Sequence, residues 1–224
     1  MVLSNQQISN PQNEEFEELE LQGIYGNYKI TAADNLEVKR YRTSVLCCGL
    51  AFCIGIIHWL LIGPTWAWIW LLATAIALGL ALKWIHIYLK PLHRTLQLLW
   101  GLGCIGIGIL LIKLGSQNLL STIASNQISI LAIGPLFAAM TGLGFKEFFC
   151  FRRPEAIGIT LLIPISLLGH LSGLINGTTA MVLLSLSAFL LFILGIRKFG
   201  MDPAADIGDK SVFTFLENQK LAKN

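Results

Sequence analysis

Hydrophobic residues form six long, nearly unbroken runs between residues 44 and 196, and charged residues are almost confined to the segments outside these runs. A helix that crosses the hydrocarbon core of a bilayer needs about 20 mostly apolar residues. Each run therefore predicts one transmembrane helix; the runs are 44–62, 65–82, 95–112, 128–145, 156–175 and 178–196. The pattern predicts an all-α, polytopic membrane helical bundle with six transmembrane helices.

Lysine and arginine are distributed unevenly among the segments that connect these runs. Cytoplasmic loops carry an excess of Lys and Arg, so the bias predicts orientation. The segments before the first run, after the last run and at every second loop hold Lys39, Arg40, Arg42, Lys83, Lys90, Arg94, Lys146, Arg152, Arg153, Arg197 and Lys198. The alternate loops hold Lys113 alone. We expect both termini on the cytoplasmic side, or its equivalent in an organelle.

Two polar tails flank the predicted membrane domain of residues 43–197. In the N-terminal tail, residues 1–42, we expect disorder over 1–22 because this part is polar and acidic. Residues 23–30 alternate weakly and predict a short extended segment. Thr31 and Asp34 have the spacing of a capping box, which predicts a helix from Ala32 into the first span. In the C-terminal tail, residues 198–224, we expect a loop over 202–210 and a short helix capped by Ser211.

Composition supports a membrane protein and excludes some partners. The chain is 54% hydrophobic and 13% charged, whereas soluble domains carry about 25% charged residues. The net charge of +3 comes from cations at the ends of apolar runs, not from a basic patch on a soluble domain. We therefore expect the lipid bilayer as a partner and no nucleic acid. The five cysteines contain no CxxC spacing, so neither a disulfide framework nor a metal site is predicted.

The stretch GLGCIGIG, residues 101–108, contains the GxGxxG fingerprint of a dinucleotide-binding turn. That fingerprint requires a preceding strand and an acidic residue about 20 residues later. Here it lies inside the third run, and the next acidic residue is Glu147. A dinucleotide site is therefore not expected, and close helix packing is the better interpretation.

Small residues at regular spacing let membrane helices approach closely. One such set repeats every seven residues in the third run and another every four residues at the end of the fifth. We expect both to pack against helices of this chain or of a partner; they are Gly101, Gly108 and Gly115, and Gly169, Gly173 and Gly177.

His58 and His170 are the histidines inside the runs, each four or five residues from the outer end of its run. Polar residues within a membrane carry a functional hypothesis by default. If the two imidazoles lie at one depth, they are candidate ligands of a cofactor such as haem. The alternative is that each hydrogen-bonds a neighbour near the interface, and no cofactor is predicted from this pair.

Residues 142–156, GLGFKEFFCFRRPEA, form the densest polar stretch near the membrane. One interpretation is a cytoplasmic loop in which Pro154 begins the next helix. The other is a docking surface for partner subunits, because arginine and aromatic residues are enriched at interfaces. Its candidate partner-binding residues are Lys146, Glu147, Arg152, Arg153 and Glu155.

Pro135 and Pro164 lie inside the fourth and fifth runs and would break their helices. Broken helices often hold substrate in transporters, so a transporter of a small neutral or weakly charged solute is one functional interpretation. The chain has no GxSG of the kind that rhomboid proteases carry, and no other catalytic constellation, so we do not expect an enzyme.

The segments YGNYKIT…LEVKRYR and GPLFAAMTGLGFKEFFCFRRPEA resemble an uncharacterised integral membrane family of cyanobacteria and plastids. The resemblance covers roughly residues 23–200. It implies a thylakoid or plasma membrane of a cyanobacterium, or a plastid membrane, and no reaction. Our first functional expectation is a non-enzymatic accessory or assembly protein of a photosynthetic membrane, which acts through helix–helix and cytoplasmic-loop contacts with subunits of a membrane complex.

Overall fold

The computed structural model describes residues 19–87, 90–212 and 215. Within this part of the chain, a β-hairpin precedes a bundle of α-helices. The elements are β1 (Leu19–Gly23), β2 (Gly26–Ile30), α1 (Ala32–Leu61), α2 (Trp68–Trp84), α3 (Lys90–Leu114), α4 (Leu119–Ser125), a 3-10 helix (Gln127–Ser129), α5 (Ile130–Phe151), α6 (Pro154–Leu171), α7 (Gly177–Lys198) and α8 (Pro203–Ile207).

Within the described residues, five helices are long and apolar enough to cross a membrane, which confirms a helical multi-pass architecture. They are α1, α3, α5 with its preceding 3-10 turn, α6 and α7, with mean hydropathies between 1.5 and 2.5. The second predicted span forms α2, an apolar helix of 17 residues. At 1.5 Å per residue, α2 is roughly 25 Å long, slightly less than the ~30 Å of a hydrocarbon core.

The six long helices form a closed ring. Helix α1 packs against α2 and α7, α5 packs against α3 and α6, and α6 also packs against α7. A smaller contact between α2 and α3 completes the ring. Neighbouring helices run in opposite directions, so the helix termini and connecting segments gather at the two ends of the bundle. We call the end where α1 begins and α7 terminates the charged end, and the other the opposite end.

Helix α1 is longer than a bilayer requires and begins with the predicted cap. The Thr31 side chain accepts a hydrogen bond from the Asp34 backbone N–H, and the Asp34 carboxylate accepts one from the Thr31 N–H at 2.7 Å. The helix then continues for 30 residues, or roughly 45 Å. The prediction of a helix that starts at Ala32 and enters the first span is therefore confirmed.

The hairpin and α8 form a small layer at the charged end. Strands β1 and β2 pair antiparallel, which confirms extended structure at Gly23 and over Gly26–Ile30, whereas Ile24 and Tyr25 form the turn between the strands. Ile30, Val38 and Ile207 pack together in an apolar cluster that joins β2, α1 and α8. The expected disorder is wrong for residues 19–22, which pair in β1, and residues 1–18 lie outside the described residues.

In the C-terminal tail, the expected loop over 202–210 contains α8, because Asp202 caps it and Pro203 starts it. Ser211 begins a helical turn, but the predicted helix beyond it lies mostly outside the described residues. The sequence patterns also missed α4 and the 3-10 helix, which cover the opposite end between α3 and α5.

The two intramembrane prolines do not break their helices, which corrects that expectation. Helix α5 continues through Pro135 and α6 through Pro164, with helical structure on both sides. A proline removes one helical N–H donor, but neighbouring helices can compensate inside a membrane. A transporter of the broken-helix type is therefore not supported by these helices.

The predicted glycine face of α3 is not the face that packs inside this chain. A Cβ added at Gly101, Gly108 or Gly115 would meet nothing within 4 Å. A Cβ at Gly103 would lie 2.7 Å from the Leu136 Cα. Gly106 likewise brings α3 against the α5 backbone. Two glycines of the GxGxxG stretch thus set the α3–α5 contact, as close packing requires.

The second predicted glycine set is divided between two helices. Gly169 lies in α6, Gly173 ends it with φ +73, and Gly177 begins α7, so the three do not form one packing face. The close crossing of α7 instead involves Gly49 of α1 and Gly195. A Cβ at either position would lie 2.7 Å from backbone of the facing helix.

Replacement of Gly103 by leucine tests the α3–α5 contact. We expect Gly103→Leu to lower the free energy of unfolding by about 1–3 kcal/mol or more, since the added side chain meets backbone. The melting temperature in detergent should fall by roughly 5 °C or more. Gly101→Leu is the matched control and should change stability by less than about 0.5 kcal/mol. Equal losses in both variants would contradict the assigned packing face.

Candidate functional site

A network of buried charged groups and one tyrosine lies at the charged end, where α1, α5, α7 and α8 meet. We call it the ionic network. Its members come from four helices and are at most 5% exposed; they are Tyr41, Arg42, Lys146, Glu147, Lys198 and Asp206. Buried charges are rare in membrane helices and usually mark functional sites.

Lys198, the last residue of α7, is the centre of this network. Its ammonium lies 2.7 Å from the Glu147 carboxylate and 2.7 Å from the Asp206 carboxylate. The side chain is completely buried. It also lies over the rings of Tyr41 and Phe151, at 5.0 and 4.6 Å from their centroids. Two carboxylates and two aromatic faces therefore replace the water that an ammonium would otherwise bind.

Arg42 joins α1 to α8 on one side of Lys198. Its Nε donates to the Asp206 carboxylate at 2.7 Å. Its two terminal nitrogens donate to the carbonyl oxygens of Met201 and Asp202 at 2.9 and 3.1 Å. One guanidinium thus satisfies a carboxylate and two backbone acceptors between α7 and α8. The planar group with its several donors suits this role better than a lysine would.

Glu147 joins α5 to the other side of Lys198. One carboxylate oxygen accepts the Lys198 bond, and the other accepts from the Tyr41 hydroxyl and, at 3.1 Å, from the Lys146 ammonium. The Lys146 ammonium lies 5.1 Å from the centroid of the Tyr41 ring. The network contains three cations and two carboxylates, so its excess positive charge is held against aromatic rings.

The energetics of such a network favour specificity over stability. Removing charges from water costs free energy that their mutual attraction only partly recovers, so an intact buried network adds little net stability. Removing one carboxylate is different, because it leaves buried cations without their partner and costs about 3–5 kcal/mol. The network therefore fixes how α1, α5, α7 and α8 fit together, and it can separate only if its charges find other partners or water.

A second set of contacts holds the hairpin to the C-terminal tail. The Asp209 carboxylate accepts from the Ser211 hydroxyl and backbone N–H, and from the Ile24 N–H at 2.7 Å. The Ser211 hydroxyl and the Ile24 N–H lower the pKa of Asp209. Lys210 also contacts Asp34 at 2.6 Å. The described parts of both tails therefore lie together at the charged end.

The structure separates the five predicted docking residues. Lys146 and Glu147 belong to the ionic network, and Glu155 is buried with one carboxylate oxygen 2.9 Å from Arg197. Arg152 is exposed with φ 50 at the end of α5, and Arg153 is half-buried before α6. Three of the five residues are thus buried in this chain, and partner binding by the set stays a prediction.

An apolar cavity of about 140 Å³ lies between the helices toward the opposite end. Its wall comes from α1, α2, α4, α5, α6 and α7. Ala124 and Gly177, which are exposed, are among its lining residues, so the cavity reaches the surface of that end. The described residues that line the cavity include no Asp, Glu, Lys or Arg. The polar residues among them are Trp59, Trp70, Thr74, Ser166 and His170.

The two predicted histidines have different surroundings. His170 lines the cavity, and its Nδ1 lies 3.3 Å from the Ile175 carbonyl oxygen. His58 is not among the lining residues, and its Nδ1 accepts from the Trp70 indole N–H at 3.2 Å. The described residues contain no cluster of three or more His, Cys, Asp or Glu that would hold a metal ion. Cofactor ligation by this pair stays a hypothesis.

An all-helical chain with several membrane-crossing helices is a multi-pass integral membrane protein. Comparison with known families adds a particular family to this class. The chain belongs to the family described as uncharacterized integral membrane protein (DUF2301), whose model matches residues 80–215, more than half of the chain. The matched region includes Glu147, Lys198 and Asp206 of the ionic network but not Tyr41 or Arg42.

A similar sequence occurs in Haemophilus influenzae. The chain is 31% identical over 134 residues to an uncharacterized protein of that bacterium. The match covers 58% of this chain and 66% of the relative, so the chain spans just under two thirds of that protein. No solved structure matches the chain. The resemblance implied a family of cyanobacteria and plastids. This relative shows that similar sequences also occur outside those groups.

Removal of the Lys198 charge tests the ionic network. We expect Lys198→Met to lower the free energy of unfolding by about 1.5–3 kcal/mol, because Glu147 and Asp206 each lose one hydrogen bond to a charged group. Thermal unfolding in detergent measures the change. Lys90→Met removes an exposed cation at the same end and should cost less than about 0.5 kcal/mol. Similar small effects in both variants would show that Lys198 is not held as described.

Proposed function

We propose that this protein carries a small solute across a membrane, with the ionic network as the closed cytoplasmic gate and the cavity as the solute site. One observation carries the proposal. A cavity that reaches the opposite end lies among the same helices whose charged ends are held together by buried ion pairs. An arrangement closed at one end and accessible from the other is what alternating access requires.

Six spans and cytoplasmic termini are part of the proposal. The contact between Ile24 and Asp209 brings the described parts of the two tails to the same end, which supports an even number of crossings. Helix α2 supplies the sixth, and a helical turn from Pro64 to Ala67 lengthens its apolar segment. Trp66 and Trp84 lie near the two ends of this segment, where tryptophans are enriched at membrane interfaces. The excess of lysine and arginine at the charged end supports the orientation.

The ionic network has the properties of a gate because its bonds join helices and not parts of one helix. Lys198 of α7 binds Glu147 of α5 and Asp206 of α8, and Arg42 of α1 binds Asp206. Opening the charged end would separate these pairs and admit water to the released charges. Such hydration offsets part of the lost attraction, so a switch of this kind needs only a modest free energy.

The proposal assigns no catalysed reaction. The buried carboxylates and cations bind one another. We therefore assign these groups to holding the charged end closed and not to catalysis. The transporter suggested by the two intramembrane prolines depended on broken helices. The gate proposed here does not, because it depends on the ionic network.

Vesicle labelling tests the gate. In a variant without its five cysteines, Leu184→Cys places one thiol in the cavity wall. A membrane-impermeant thiol reagent should label it from the non-cytoplasmic side. Adding Lys198→Met should raise labelling from the cytoplasmic side about tenfold, equivalent to a shift of ~1.4 kcal/mol toward the open state.

Lys90→Met is the matched control for vesicle labelling and should leave it unchanged. Asp206→Asn, a milder change, should raise cytoplasmic labelling to a smaller extent and serves if Lys198→Met fails to fold. A folded Lys198→Met or Asp206→Asn protein with unchanged cytoplasmic labelling would overturn the gate.

A second candidate function is an accessory or assembly protein of a membrane complex. It is favoured by the exposed face of α3, where Gly101 and Gly108 leave open space beside the backbone. Small residues of this kind admit a helix of a partner subunit. The photosynthetic membrane rests on the resemblance alone, and the Haemophilus relative argues for a wider distribution of the family.

Purification from native membranes in mild detergent tests this second candidate. A stoichiometric subunit that is retained by the native protein and lost from Gly101→Leu/Gly108→Leu would support it. Gly134→Leu is the matched control, because this α5 glycine also has open space beside it. A protein purified without partners, or with partners that both variants retain, would contradict the predicted face.

A further inference from the structure

We infer that the cavity binds a small, neutral, largely apolar molecule with one hydrogen-bond donor, which it directs to His170. The inference deepens the proposed carrier function by naming the chemical class of the solute. It is carried by three properties of the cavity: its size, its uncharged wall, and the hydrogen-bonding capacity that its polar side chains leave unused.

The size limits the ligand to roughly one six-membered ring. The cavity measures about 140 Å³. An engineered protein cavity of about 150 Å³ with a similar aliphatic and aromatic wall binds benzene. A nucleotide, a sugar chain or a porphyrin is therefore too large for this cavity as it stands.

The wall excludes charged ligands. The lining side chains are predominantly aliphatic or aromatic, including Phe52, Ile133 and Phe137. A charged ligand would lose its hydration without gaining an opposite charge. The free-energy cost of that loss is far larger than the free energy gained from contact with an apolar wall. A neutral ring gains about 25 cal/mol for each Å² of apolar surface that leaves water.

Three of the polar lining groups have already used their donors. The Thr74 hydroxyl donates to the Trp70 carbonyl oxygen at 2.8 Å, and the Ser166 hydroxyl donates to the Ala180 carbonyl oxygen at 2.8 Å. The Trp70 indole N–H donates to His58. The Thr74 and Ser166 hydroxyls therefore offer a ligand only oxygen lone pairs, and the Trp70 indole offers no free donor.

His170 provides the strongest acceptor. Its Nδ1 lies 3.3 Å from the Ile175 carbonyl oxygen, and a carbonyl oxygen can only accept. Nδ1 therefore carries the proton of the neutral ring, and Nε2 keeps its lone pair. A ligand with a hydroxyl or N–H group would complete this acceptor, whereas a ligand with only acceptors would have no partner there.

Fluorine NMR with two matched probes tests the inference on the whole protein in detergent. 4-Fluorophenol and 4-fluorotoluene have nearly the same shape, but only the phenol has a donor. We expect saturable binding of 4-fluorophenol that is about tenfold tighter than binding of 4-fluorotoluene. His170→Phe should weaken the phenol about tenfold and leave the toluene nearly unchanged, because the variant removes the acceptor and keeps an apolar ring.

Two further variants separate the cavity from partition into detergent. Ala180→Leu adds bulk to the cavity wall and should abolish saturable binding of both probes. Ala138→Leu makes the same change at an exposed position of α5 and should bind as the native protein does. Binding that Ala180→Leu retains would place the probes outside the cavity and overturn the inference.

The remaining outcomes distinguish the ligand class from the carrier function. Equal affinities for the two probes, or no effect of His170→Phe, would overturn the donor requirement. If that occurs while cytoplasmic labelling of Leu184→Cys still responds to the gate variants, the carrier function stands and the solute class is wrong. If the probes bind as expected and labelling does not respond, the cavity is a binding site in a protein that does not carry its ligand.

Discussion

The Lys198 ammonium, held between the carboxylates of Glu147 and Asp206, is the interaction on which the charged end depends. It joins the end of α7 to α5 and α8, and through Asp206 and Arg42 it reaches α1. Each carboxylate holds two cations, so losing either carboxylate strands buried positive charge, and the helices must fit together in one way or the network must open as a unit. Such all-or-none behaviour suits both a contact that fixes one arrangement of helices and a gate that opens as a unit.

The rest of the bundle is held by close packing instead of charge. Gly49 and Gly195 let α1 and α7 cross at backbone distance, and Gly103 and Gly106 do the same for α3 and α5. In a membrane, where lipid tails are as apolar as side chains, such contacts supply much of the association between helices. Toward the opposite end the helices enclose the cavity near His170. A tight charged end and a hollow opposite end give the bundle a polarity that a symmetric packing of helices would lack.

Much of the fold is readable from the sequence, but little of the candidate site is. The hydrophobic runs predict the long helices because a spanning helix must satisfy its backbone internally, and Thr31 with Asp34 predicts the start of α1. The ionic network was missed because its partners are distant in sequence: Arg42 and Asp206 are separated by 164 positions. Lys146, Glu147 and Lys198 all appear in the sequence as charges at the ends of apolar runs, where exposed and buried charges have the same pattern.

The sequence by itself determined the class of protein and its architecture of long apolar helices with cations near their ends, since these depend on local composition and length. Only the tertiary structure decided which glycines touch a neighbour, because every face of an intramembrane helix is apolar and periodicity does not distinguish Gly101 from Gly103. It also decided that Glu147 and Lys146 are buried and not presented to a partner, and that His170 rather than His58 lines a cavity. These properties depend on which helices are neighbours, and that is set by contacts among residues that lie far apart along the chain.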